Sequence, residues 1–143
     1  MSRLLVQHPP QSMRDLGLLI VRVTVGLVLV AHGWQKLQQG PAAVAEGFAA
    51  MGIPAPELAA WFALSVELVG GALLVLGLLT PLMGVLVAAD MAGAWWFAHR
   101  GNGVFVSEGG GELAWIIGAV AVTLVLAGAG RFSVDRALAR SGE

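Results

Sequence analysis

The sequence predicts an all-α membrane protein, in which a single domain of four transmembrane helices forms an antiparallel bundle. Hydrophobic residues make up 57% of the 143-residue chain and charged residues only 12%, about half of the ~25% usual in a soluble domain. Four apolar segments each approach the ~20 residues that a helix needs to cross the hydrocarbon core of a bilayer. The alternating segments of a membrane β-barrel are absent. A helical bundle in the lipid bilayer is therefore the predicted fold class.

The four predicted spans are residues 16–35, 57–79, 81–99 and 112–129. The first connection is long, and Val44, Phe48 and Met51 within it follow a helical i, i+4, i+7 spacing. This spacing predicts a short helix in the membrane interface between the first two spans. The second connection is a minimal turn at Thr80-Pro81, where Thr80 is a candidate N-cap and Pro81 suits the first helical position. The second and third spans are therefore predicted to be antiparallel neighbours.

The third connection, residues 100–111, holds five glycines and is typical of an irregular loop. After the fourth span, Ser133 is a candidate N-cap for a short polar helix, with Asp135 in its first turn. The chain should therefore end in a small helix outside the bilayer.

Lys and Arg residues near the spans predict the orientation. The segments before the first span and after the last one carry Arg3, Arg14, Arg131, Arg136 and Arg140. The two long connections carry only Lys36 and Arg100. We therefore expect a multi-pass protein of the bacterial plasma membrane, with the N-terminal residues 1–15 and the C-terminal tail 130–143 in the cytoplasm.

Composition also narrows the function. The net charge is −1 without a basic block, so nucleic acid is not an expected partner. The chain has no cysteine, which excludes disulfides, thiolate metal sites and thiol exchange by the chain itself. It carries neither a phosphate-binding loop nor a dinucleotide fingerprint, and its three histidines are too scattered to indicate a metal site.

Three charged residues, Arg22, Glu67 and Asp90, lie inside apolar spans. Each costs at least about 2.5–3.5 kcal/mol near the bilayer centre, so they should face the bundle and find partners. At a rise of about 1.5 Å per residue, Arg22, Asp90 and Glu67 lie roughly 9, 13 and 18 Å from the cytoplasmic end. We expect Arg22 to pair with Glu67 or Asp90. A structural ion pair is the favoured interpretation of this buried charge cluster, and proton or ligand chemistry is the alternative.

Other polar residues gather at the predicted outer ends of the spans and form a candidate ligand-binding mouth. The candidates are His32, Gln35, Lys36, Glu67, His99, Asn102 and Glu112. Histidine and lysine can donate hydrogen bonds to a quinone carbonyl or an anion, and Glu67 can relay a proton. The alternative is that these groups only satisfy helix ends and face water.

Several motifs resemble the DoxX family of small four-helix bacterial membrane proteins. They are Arg22-Val-Thr-Val-Gly26, Ala31-His-Gly-Trp-Gln-Lys-Leu37, Gly52-Ile-Pro54, Val66-Glu-Leu-Val-Gly-Gly71, Gly77-Leu-Leu-Thr-Pro81, His99-Arg-Gly-Asn-Gly-Val-Phe105, Gly110-Gly-Glu112 and Gly130-Arg-Phe-Ser-Val-Asp135. The resemblance covers residues 18–135. The sequence departs from the family pattern at Asp90, where family members usually carry an apolar residue. A role of Asp90 that is specific to this chain is therefore an open alternative.

The resemblance implies a membrane subunit associated with redox complexes, with partners in superoxide and thiol chemistry or in quinone-coupled thiosulfate oxidation. Candidate ligands are a quinone or a small sulfur species, and the candidate protein partners are a redox enzyme and a second copy of the chain. The chain shows no self-sufficient catalytic motif. The alternatives are a non-catalytic anchor or assembly factor with purely structural polar residues and, less favoured, a small transporter.

Overall fold

The computed structural model describes residues 9–142, so Arg3 and the rest of the first eight residues lie outside the described part. Six helices follow in chain order. They are α1 (Gln11–Gln39), α2 (Pro41–Ala50), α3 (Pro56–Leu76), α4 (Thr80–His99), α5 (Glu112–Ala127) and α6 (Val134–Ser141). The described residues contain no strand. Helices α1, α3 and α4 are long and apolar enough to span a membrane, whereas α5 is apolar but has only 16 residues. The prediction of an all-α membrane bundle is confirmed.

Close backbone contacts hold α1 against α3. A Cβ atom at Gly26 would lie 2.7 Å from the carbonyl oxygen of Gly71, and one at Gly33 would lie 2.6 Å from the backbone nitrogen of Leu68. Contact positions that advance along α1 therefore move back along α3, so the two helices are antiparallel. Small residues permit this approach, which is a common way to pack helices in lipid.

The second pair of helices, α4 and α5, packs in the same way. A Cβ atom at Gly84 would lie 2.9 Å from the carbonyl oxygen of Ala121, and one at Gly118 would lie 3.5 Å from Met91. The two pairs share one apolar core between them. Its fully buried members are Leu29, Leu74, Val87, Ala121 and Leu124.

The predicted interfacial helix is present as α2, which begins at Pro41 directly after Gly40. Gly40 has φ +89°, so the chain can turn sharply between α1 and α2. Val44 and Ala45 are buried against Ala60 of α3, and Phe48 is half-buried. Met51 was expected on the same stripe, but it lies beyond the end of α2 and is exposed.

Two π-helical turns interrupt the spans, and the sequence patterns did not predict them. One covers Val66–Gly70 in α3 and the other covers Trp95–His99 at the end of α4. A π turn widens a helix locally and is frequent at functional sites. Each of these turns contains one of the predicted site residues, Glu67 in the first and His99 in the second.

The bundle has two ends, which differ in their polar groups. We call the end formed by residues 11–22, 76–84 and 127–141 the tail end, and the end formed by residues 32–57 and 95–115 the loop end. At the tail end, α5 stops at Ala127, two residues before the predicted boundary, because Gly128 has φ +76°. The loop end includes the irregular segment predicted at residues 100–111, with one short 3₁₀ turn at Val106–Glu108.

Candidate functional site

An ion pair inside the bundle joins the first two long helices. The Lys36 Nζ atom in the last turn of α1 donates to both carboxylate oxygens of Glu67, at 2.7 and 2.6 Å. The Glu67 side chain is only 7% exposed and that of Lys36 is 22% exposed. The π turn around Glu67 and the antiparallel packing of α1 on α3 bring these two side chains together. Lys36 therefore reaches inward from the loop end to neutralise a buried acid.

A second carboxylate, that of Asp90 on α4, lies near this ion pair. Helix α4 packs against the π turn that holds Glu67, since a Cβ atom at Gly70 in that turn would lie 3.4 Å from the Met83 sulfur. The Asp90 Oδ2 atom is buried and has no hydrogen-bond partner within residues 9–142. A buried oxygen without a partner costs about 1–3 kcal/mol, which favours a further donor or a proton at this atom. We call Lys36, Glu67 and Asp90 the charge cluster.

The charge balance of the cluster determines what it can do. It contains two carboxylates and one ammonium, so with all three groups ionised it carries one excess negative charge. Charges interact strongly in a medium of low dielectric constant, and one added proton would neutralise the cluster. This arrangement can therefore take up and release a proton within the bundle.

Arg22 does not belong to this cluster, and the prediction that it pairs with Glu67 or Asp90 is wrong. Its Nη1 atom donates to the carbonyl oxygen of Ala129 at 3.2 Å, and Nη2 donates to that of Phe132 at 2.6 Å. The residue is only 1% exposed. The chain after α5 turns back under the bundle and presents its carbonyl groups to the guanidinium. Backbone carbonyl groups thus accept the hydrogen bonds of Arg22 that were predicted to go to Glu67 or Asp90, and Lys36 pairs with Glu67 instead.

Two acids at the tail end also bind backbone groups. Asp135 accepts hydrogen bonds from the N–H groups of Leu79 and Thr80, at 2.7 and 2.9 Å, and thereby caps α4. The predicted cap by the Thr80 side chain is wrong, because its Oγ1 atom is buried without a hydrogen-bond partner within residues 9–142. Asp15 is 5% exposed and accepts from the Arg131 N–H at 3.1 Å. The predicted Ser133 cap of α6 is confirmed, since Ser133 accepts from the Arg136 N–H.

Three residues of the predicted mouth make hydrogen bonds to the backbone of the loop between α4 and α5. The His99 Nδ1 atom lies 2.7 Å from the Gly109 carbonyl oxygen, and the Asn102 amide donates to the same oxygen at 3.3 Å. The Glu112 carboxylate accepts from the Val106 N–H at 2.8 Å. We call these three residues the loop clasp. The loop clasp is distinct from the charge cluster, so the predicted mouth does not form a single site.

His32 and Gln35 stay on the α1 surface near Lys36. His32 is half-buried and Gln35 is exposed, and neither side chain makes a hydrogen bond to another group in the described chain. Both remain candidate ligand contacts. Residues 9–142 contain no group of three His, Cys, Asp or Glu side chains arranged to hold a metal ion.

Three surface grooves are prominent on the described residues. One of about 900 Å³ lies at the tail end between α1, α4 and α6. One of about 350 Å³ is apolar and runs between α4 and α5, and one of about 590 Å³ lies between α2 and the start of α3. None of these three grooves is lined by Lys36, Glu67 or Asp90.

Comparisons with known proteins agree with the resemblance that the sequence motifs indicate. The family model DoxX matches residues 17–100, which include the whole charge cluster. An uncharacterized protein of Haemophilus influenzae is 31% identical over 128 residues, which cover 87% of this chain and 92% of that protein. An uncharacterized membrane protein of Mycobacterium tuberculosis is 31% identical, with 96% of this chain and 88% of that protein covered.

A third relative has a name that refers to activity. The "Putative oxidoreductase CatD" of Bacillus subtilis is 35% identical over 80 residues, which cover 56% of this chain and 58% of that protein. No solved structure matches the chain.

Proposed function

This chain belongs to the DoxX family, and from that premise we propose that it is the membrane subunit of a redox-associated complex whose charge cluster binds a quinone. The observation that carries the proposal is the Lys36–Glu67 ion pair, together with the buried Asp90 oxygen that has no hydrogen-bond partner among residues 9–142. Each charged side chain within the membrane lowers the stability of the fold, so packing alone does not explain two acids and a base in this part of the bundle. The naming of one relative as an oxidoreductase supports the redox context.

The proposed chemistry assigns binding and proton transfer to this chain. Reduction of a quinone to a quinol takes two electrons and two protons. A partner oxidoreductase supplies the electrons, since the chain has no cysteine of its own. The Lys36 ammonium donates a hydrogen bond to a quinone carbonyl, and the Glu67 and Asp90 carboxylates each take up a proton from water at the loop end and pass it to the reduced ring. A quinone enters through the bilayer, so the 22% exposure of the Lys36 side chain gives its ring a point of approach.

Purification in a mild detergent tests this proposal. The full chain is purified from bacterial membranes, its lipid extract is assayed for quinone, and co-purifying proteins are identified by mass spectrometry. We expect quinone to co-purify with the wild-type protein and to fall at least tenfold in Glu67→Gln. The matched control is Glu46→Gln, which removes an exposed carboxylate on α2 and should retain the quinone. Equal quinone content in Glu67→Gln and the wild type would contradict the proposal.

The loop clasp favours a second candidate function, that of a non-catalytic membrane anchor or assembly factor. His99, Asn102 and Glu112 are bonded to the backbone of their own loop, so they give that loop a fixed shape. A fixed loop at the membrane surface is suited to contact with a partner protein. In the same purification, a stoichiometric partner without quinone would support the anchor.

A further inference from the structure

We propose that the groove at the tail end binds the headgroup of an anionic phospholipid. The groove has a volume of about 900 Å³ and lies between the start of α1, the start of α4 and the basic side of α6. Three arginines, Arg131, Arg136 and Arg140, are among the residues that line it. This inference does not depend on the proposed quinone site, which lies elsewhere in the bundle.

The acidic and basic side chains that line this groove differ in whether they already have hydrogen-bond partners. The carboxylates that line it, Asp15 and Asp135, are already bonded to backbone N–H groups. By contrast, no side-chain hydrogen bond or ion pair joins the three arginine guanidinium groups to another residue between 9 and 142. The Arg131 guanidinium lies only over the ring of Phe132, with 5.9 Å to the ring centroid. Guanidinium groups match phosphate oxygens in geometry as well as in charge.

The opposite face of α6 indicates where this groove lies relative to the bilayer. Val134 and Leu138 are one helical turn apart and both are exposed, whereas Arg136 and Arg140 share the other side of the helix. A helix with one apolar and one basic face lies in the membrane interface. Arginines on such a helix therefore meet lipid headgroups.

The apolar part of the groove fits the rest of a phospholipid. Leu79 and Leu82 at the start of α4 are about half exposed and line the groove together with Leu18. An acyl chain can pack along these leucines while its phosphate binds the arginines. An apolar wall beside arginines that have no side-chain partner within the described residues favours a lipid over a soluble protein partner.

Native mass spectrometry of the detergent-solubilised full chain tests the proposal, with phosphatidylglycerol and phosphatidylcholine as the lipids. We expect the wild type to bind phosphatidylglycerol more tightly. The double variant Arg136→Gln/Arg140→Gln should weaken phosphatidylglycerol binding by roughly thirtyfold, which corresponds to about 1 kcal/mol for each arginine near a membrane surface. Phosphatidylcholine binding should not change. The matched control is Arg100→Gln, which removes an arginine at the loop end, stacked on Trp96.

Several results would overturn the inference. Equal affinity for the two lipids in the wild type would do so, as would undiminished phosphatidylglycerol binding in the double variant. Displacement of phosphatidylglycerol by an equal concentration of inorganic phosphate would indicate a site for small anions instead. If the double variant lost a co-purifying soluble protein but kept its lipid preference, the groove would be a protein-binding surface.

Discussion

The tail end and the charge cluster both bury charged groups in one small bundle, but they neutralise them differently. At the tail end, Arg22 donates to carbonyl groups and Asp135 accepts from N–H groups of the backbone. In the charge cluster, Lys36 binds Glu67 directly and Asp90 keeps a buried oxygen without a partner in the described chain. Backbone partners cannot change their charge at physiological pH, whereas carboxylates can. We therefore propose a structural role for the buried Arg22 and for Asp135 at the tail end and a chemical role for the charge cluster.

The tail-end contacts join parts of the chain that are far apart in sequence. Arg22 binds residues more than 100 positions later, and Asp135 binds the turn between α3 and α4. That turn is strained at Leu79, which has φ +53°, a conformation that costs a non-glycine residue about 1–2 kcal/mol. The Asp135 bond to the Leu79 N–H holds this conformation in place. The residues after α5 thus hold the start of α4 and the N-terminal half of α1 in place through these hydrogen bonds.

Replacement of Arg22 should have the largest effect on stability. Arg22→Leu leaves the carbonyl groups of Ala129 and Phe132 without these donors, and we expect a loss of about 2–4 kcal/mol in the free energy of unfolding. The yield of monodisperse protein in mild detergent and its thermal midpoint measure this loss. The control is Arg14→Leu, because Arg14 lies on the same helix and is exposed. Because Arg22 does not contact Asp90, adding Asp90→Leu to Arg22→Leu should not recover the lost stability. A substantial recovery would indicate that Arg22 and Asp90 are paired after all.

Gly77 should be the next most sensitive position at the tail end. It has φ +69°, and a Cβ atom there would overlap the Arg22 guanidinium and lie 2.7 Å from the Ser133 Cβ atom. Gly77→Ala should therefore destabilise the protein by about 1–3 kcal/mol. Gly93→Ala is the control, because nothing lies within 4 Å of a Cβ atom at that position. Equal thermal midpoints for the two variants would show that the tail end does not need this close approach.

Loss of the Asp135 cap should have a smaller effect. Asp135→Asn keeps one acceptor oxygen but removes the second, and the cost should be about 1 kcal/mol, typical of a lost N-cap. A small drop in thermal midpoint, with unchanged quinone content, is the expected result. A loss of quinone in this variant would show that the two regions are coupled rather than separate.

Single cysteines test the membrane orientation with almost no effect on stability. The two positions are Ser107, in the loop between α4 and α5, and Ser141, at the end of α6. Both residues are exposed. An impermeant thiol reagent should label Ser107→Cys and spare Ser141→Cys in intact cells, as the arginine asymmetry predicts. The cysteine-free background makes the assay clean. The reverse labelling would place the tail end outside.

Most of the fold could be predicted from the sequence, because long apolar segments in lipid must form helices. The partners of the buried charges were harder to predict. The estimated depths already placed Glu67 nearer the outer end than Arg22, which favours Lys36 as its partner. Charge alone predicts a carboxylate partner for Arg22, but backbone carbonyl groups also accept hydrogen bonds from a guanidinium. Nothing in the segment from Ala129 to Phe132 indicated that its carbonyl groups would turn toward a guanidinium, since such an arrangement depends on the tertiary path of the chain.

We propose that the charge cluster serves function whereas the backbone-bonded Arg22 and Asp135 serve stability, and the double variant Lys36→Met/Glu67→Gln tests this proposal most directly. Removal of both partners leaves no uncompensated charge from the pair, so the fold should be retained or slightly stabilised. The measurement is a titration of the protein in lipid nanodiscs with a short-tailed quinone, followed by tryptophan fluorescence quenching, with the thermal midpoint recorded on the same sample. We predict an unchanged or higher midpoint and at least a tenfold loss of quinone affinity. A folded double variant that binds the quinone as tightly as the wild type would contradict the account.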